Sequence, residues 1–73
     1  MYTLDLLTKG QSATVAEVSA SGSLKRRLLD IGLVEGTTVE CVGQSPLGDP
    51  KAFLIRGAVI AIRNQDSNRI IIN

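Results

Sequence analysis

The sequence predicts a small, mainly β domain: a strongly bent sheet of about five short strands with one short inserted α-helix. Three observations carry this. Apolar residues come in short runs, the runs are rich in Val, Ile and Thr, and Gly-containing turn signals separate them. With 73 residues the chain forms a single domain, 1–73. A domain of this size buries only about 60% of the surface its unfolded chain exposes, so its core must be gathered from many short segments.

Taken in order, Thr3-Leu4-Asp5-Leu6-Leu7 reads as one helical turn with Thr3 at its N-cap, ended by Lys9-Gly10. Ser12 to Val18, small and β-branched, reads as the first strand. After a loop at Ser19 to Gly22, Ser23 caps a helix through Ile31, and Gly32 stops it. Leu24, Leu28 and Ile31 fall on one stripe facing a core. Leu29 lies off that stripe by roughly 100°.

Thr37 to Gln44 reads as the next strand, entered by a turn at Glu35-Gly36, and Ser45 to Pro50 is a loop. Ala52 to Ile55 and Ala58 to Arg63 are two strands joined by Arg56-Gly57. That two-residue spacing suits a type I′ hairpin, since Gly accepts positive φ. Asn64 to Asn68 is a polar turn or a single helical turn, and Arg69 to Asn73 is the last strand. Closing such a sheet removes the edges that a flat one would expose, and an SH3-like barrel with an inserted helix is the natural architecture.

The residue inventory excludes most chemistry. There is no His, so the commonest general base and metal ligand are missing. The single Cys41 cannot form an intramolecular disulfide, and within Val39-Glu40-Cys41-Val42 it reads as a small core residue rather than a reactive thiol. The acids Asp5, Glu17, Asp30, Glu35, Glu40, Asp49 and Asp66 are scattered, and no phosphate-binding glycine motif occurs. No catalytic residue, metal ligand or cofactor is therefore expected. A net charge of +1 and only two aromatic residues, Tyr2 and Phe53, argue against nucleic acid. No secretory signal precedes the domain, and no apolar run approaches the ~20 residues a membrane helix needs, so a soluble, cytoplasmic protein is expected. What remains is a surface that binds another molecule.

Two segments break local rules and mark that surface. Lys25, Arg26 and Arg27 fall in the first turn of the expected helix and Asp30 in its last, the reverse of what the macrodipole favours by about 0.3–1 kcal/mol per charge. The basic cluster has either an internal partner such as Glu17 or Glu35, or an external one. The position of Leu29 off the core stripe, beside this cluster, favours an interaction surface. In Pro46-Leu47-Gly48-Asp49-Pro50, two prolines stiffen a loop. Leu47 either stands out for binding or tucks back to plug the open end of the barrel, and the plug is the favoured reading.

Three stretches together resemble the FeoA family along essentially the whole chain. They are Arg26-Arg27-Leu28-Leu29-Asp30-Ile31-Gly32-Leu33 continuing to Glu35-Gly36-Thr37-Thr38-Val39, then Pro46-Leu47-Gly48-Asp49-Pro50, then Arg56-Gly57 with Ala58 to Arg63. The resemblance implies an SH3-like barrel in the bacterial cytoplasm that regulates ferrous iron uptake by binding FeoB, the membrane transporter that carries a cytosolic GTPase domain. The alternative it implies is a stand-alone metal-responsive module related to the C-terminal domain of DtxR-type iron-dependent repressors. The expected partner contacts are Arg26, Arg27 and Leu29 of the helix with Leu47 and Asp49 of the loop. With so few aromatic residues, the barrel lacks the aromatic groove on which proline-rich ligands dock. A peptide would have to use an aliphatic cleft or add a strand to an edge.

Overall fold

The computed structural model describes residues 2–73. Strand β1 (Tyr2–Thr3) runs into a 3₁₀ turn at Leu4–Leu6, followed by β2 (Ser12–Val18) and helix α1 (Gly22–Asp30). Then come β3 (Thr38–Gln44), β4 (Lys51–Ile55), β5 (Ala58–Ile62), the short helix α2 (Asn64–Ser67) and β6 (Ile70–Ile72). The six strands form one antiparallel sheet in the order β1-β6-β2-β3-β4-β5.

β-Branched residues alternating with small or polar ones produce the half-buried pattern of a curved sheet. On β4, Lys51, Phe53 and Ile55 turn inward while Ala52 and Leu54 are half-buried. Phe53 is the largest fully buried side chain, and Leu4, Val15, Leu28, Leu33, Val39, Cys41 and Ile70 pack with it in one core. Register shifts between Val15 and Glu17 on β2, and between Cys41 and Gly43 on β3, are bulges that bend the sheet around that core. At the β4–β5 turn both Arg56 (φ 49°) and Gly57 (φ 85°) have positive φ, the type I′ geometry expected for this spacing.

Three expectations change. The first is the strand count: Tyr2–Thr3 pairs with β6 through Tyr2↔Ile72 and Thr3↔Ile71, adding a sixth strand. The second is closure. β1 and β5 end the sheet, and among the described residues no ladder joins them, so the barrel keeps two edges there. The third is the helix start. Ser21, not Ser23, is in the extended cap conformation (φ −139°, ψ 171°), and α1 begins at Gly22. The helix also ends at Asp30 rather than Ile31, which puts Arg27 in its last turn, where the macrodipole favours a cation, so the reversed charges are Lys25 near the start and Asp30 at the end.

Gly32 (φ 102°) follows the end of α1. A Cβ there would come within 3.2 Å of both Ile55 Cγ2 and Arg56 Cδ. Glycine thus allows the end of α1 to lie against the β4–β5 turn, which brings helix and edge strand to one side of the molecule.

Candidate partner-binding site

Arg26 and Leu29, three residues apart on α1, share a face. Together with Gly22, Lys25 and Asp30 they line a shallow hollow, and Leu29 remains 37% exposed. Arg26 is exposed beside it.

Arg27 points to a different face. Its Nη2 lies 3.3 Å from Asp66 Oδ2 on α2, donating a hydrogen bond within an ion pair. The internal partner of the basic cluster is therefore Asp66, not Glu17 or Glu35. Arg27 and Leu28 of α1, with Ile31 just after it, line a second hollow together with Ile60, Ala61 and Ile62 of β5 and with Arg63 and Asp66.

Asp49 is committed to structure as well. Its Oδ1 accepts a 2.9 Å hydrogen bond from the backbone N–H of Asn64, at the start of α2. Arg63, the local N-cap residue, makes no side-chain cap, so the loop carboxylate serves that role. Asn64 Nδ2 donates to the carbonyl of Gly48 at 3.3 Å, tying the loop to α2 a second time. Inside the loop, Ser45 Oγ donates to the Asp49 carbonyl at 2.8 Å and accepts from the Asp49 N–H at 3.0 Å, while Gly48 N–H donates to the Ser45 carbonyl at 2.8 Å.

These bonds hold Leu47 at the tip of a tight turn, 94% exposed. The expected plug does not form. Leu4, at the start of the 3₁₀ turn, and Leu7, just after it, are buried in the core instead. The turn is anchored beside the loop by Lys51, whose buried ammonium donates to the carbonyls of Asp5 and Leu7, the latter at 2.9 Å.

The residues singled out in the sequence thus separate into a free pair (Arg26, Leu29), an isolated tip (Leu47) and two structural anchors (Arg27, Asp49). The organiser is α2, which receives Arg27 through Asp66 and Asp49 through Asn64. The polar run Asn64 to Asn68 was its only sequence signal. Cys41 is fully buried, as its neighbours indicate. Among the described residues no group of three or more His, Cys, Asp or Glu side chains is placed to hold a metal ion. No helix among them is long and apolar enough to cross a membrane.

The family model described as the FeoA domain matches residues 2–73. The chain is 31% identical over 67 residues to a Porphyromonas gingivalis protein named as a fusion of Fe(2+) transport protein A with the Fe(2+) transporter FeoB. That match covers 92% of this chain and 8% of the fusion protein. In structure the chain is similar to iron(II) transport protein A of Clostridium thermocellum, with a TM-score of 0.94 and 30% identity over 99% of this chain and 44% of that one. It is also similar to Stenotrophomonas maltophilia FeoA in complex with zinc, described as a prokaryotic SH3 domain protein. There the TM-score is 0.89 at 28% identity, over 100% of this chain and 91% of that one. The SH3-like class read from the sequence is the observed one.

Proposed function

The chain belongs to the FeoA domain family, and on that premise we propose that it is a non-catalytic accessory protein of ferrous iron uptake that binds the FeoB transporter on its cytosolic side. The observation that carries this reading is the Porphyromonas gingivalis protein, named as a fusion of the two in one polypeptide, whose similarity covers 92% of this chain and 8% of the fusion. Covalent linkage holds two modules at a high mutual concentration, an advantage only when they work together. The absence of His and the lone buried Cys41 support a binding role over a catalytic one.

On this chain the free face of α1 suits the task. Arg26 supplies an exposed cation and Leu29 an apolar contact beside it, while Leu47 offers a second apolar point on a stiff loop. Arg27 and Asp49 contribute by fixing α1 and the loop to α2. The test is co-purification with the full-length transporter, with and without guanine nucleotide. The wild-type chain is expected to be retained. Arg26→Glu combined with Leu29→Glu is expected to be lost from the complex while keeping a native circular dichroism spectrum. A folded double variant that is still fully retained would remove this face from the proposal.

A further inference from the structure

Strand β5 is an unguarded edge. It pairs with β4 in unbroken register from Ile55↔Ala58 to Lys51↔Ile62, and with no other strand among the described residues. In a two-residue hairpin the residues beside the turn exchange both backbone hydrogen bonds, and bonded pairs alternate from there. Ala58, Ile60 and Ile62 therefore bond to β4, while the N–H and C=O groups of Val59 and Ala61 point away from it. No described group hydrogen-bonds to these four.

Native edges are usually blunted by a charge, a proline or a bulge. Ala58-Val59-Ile60-Ala61-Ile62 has none of these, and Val59 is 64% exposed. The opposite edge, β1, is blunted by its length of two residues.

The charges around β5 select what can pair with it. Arg56, in the turn two residues before the strand, and Arg63, immediately after it, are both exposed. In an antiparallel pair of two β5 strands centred on Ile60, Arg56 of one copy would approach Arg63 of the other at each end. Like charges so placed oppose self-pairing. A segment with acids at both ends and aliphatic residues between them meets the opposite situation. One face of that segment would fill the hollow between β5 and α1, lined by Leu28, Ile31 and Ile60.

We propose that β5 accepts, as an added strand, an extended segment of the transporter's cytosolic part that is aliphatic in the middle and acidic at both ends. This deepens the reading above and rests on it for the source of the segment.

The first test titrates the isotopically labelled chain with a synthetic peptide of alternating Val and Thr bounded by two Glu at each end. Amide shifts are expected to concentrate at Val59 and Ala61, with slowed hydrogen exchange at both. Replacing the peptide's Glu by Lys is expected to weaken binding roughly tenfold or more. Ala61→Pro removes an outward N–H and leaves the β4 ladder intact, so a folded variant that no longer binds is expected. Val59→Lys, which guards the edge with a charge, is the second variant. No binding, shifts centred elsewhere, or equal affinity for the Lys-ended peptide would overturn the proposal. So would a dimer in sedimentation that Ala61→Pro abolishes, since the edge would then belong to a second copy. The second test repeats co-purification with both variants. If the transporter retains the wild type and both variants, the edge is not its docking surface and the transporter reading stands. If it fails to retain the wild type, that reading falls, and the peptide titration still decides what the edge can bind.

Discussion

The carboxylate of Asp49 accepts a hydrogen bond from the backbone N–H of Asn64 at 2.9 Å, so a loop supplies the cap of a helix that begins 15 residues later. Neither element is independent of the other. Asp49→Ala is expected to destabilise the fold by about 0.5–2 kcal/mol, the usual range for a lost cap. Asp49→Asn, which keeps an acceptor oxygen, should recover most of the loss. Urea unfolding midpoints of the two variants check this.

The ion pair between Arg27 and Asp66 is mostly solvent-facing on the arginine side. Exposed pairs contribute about 0.2–1 kcal/mol. A double-mutant cycle with Arg27→Ala and Asp66→Ala is expected to give a coupling in that range that shrinks at high salt.

Lys51 presents the opposite case. It is buried, and its ammonium satisfies the carbonyls of Asp5 and Leu7. Lys51→Met keeps the apolar stem and leaves both carbonyls without that donor. The expected cost is about 1–3 kcal/mol. Chemical denaturation measures it, and faster amide exchange around Leu4 to Leu7 should accompany it.

At the β4–β5 turn, Gly57 has φ 85°. Gly57→Val puts a β-branched residue into the left-handed region at a cost of roughly 1–2 kcal/mol. Arg56→Asn suits the turn's first position and should leave thermal stability unchanged or raised. Comparing the two melting temperatures separates the backbone effect from the loss of the Arg56 charge.

Leu47, 94% exposed, makes no core contribution. Leu47→Ser is expected to change stability by less than about 0.5 kcal/mol. Reduced retention of the transporter without a change in unfolding midpoint would mark Leu47 as a contact rather than a structural residue.

Local signals were readable and distant ones were not. β2 spans Ser12–Val18 as its composition indicates, and Arg56-Gly57 forms the type I′ turn its spacing implies. β1 has two residues, too few for any periodicity, and exists because Ile72 and Ile71 pair with it across the chain. The start of α1 moved because Ser21 and Ser23 can each cap, and only the fold decides which takes the extended conformation. Lysine at a strand end reads as surface, so Lys51 stood outside the expected strand, yet its partners lie more than 40 positions away. The division of the site followed the same logic. The partners of Arg27 and Asp49 were not legible because they lie 39 and 15 positions away, on a four-residue helix whose polar sequence fits a plain turn as well as a helical one.

Strand β6 lies between β1 and β2, and its Ile70 and Ile72 are buried. During synthesis, a nascent chain that has emerged only through residue 62 can form the meander of β2, β3, β4 and β5 but has nothing to hold β1. The earliest residues must wait for the latest. Ribosome-bound lengths short of Ile72 should therefore leave Tyr2 and Thr3 open to protease even where Lys51 already holds the Leu4 turn, and protection of the strand should arrive once β6 clears the exit tunnel.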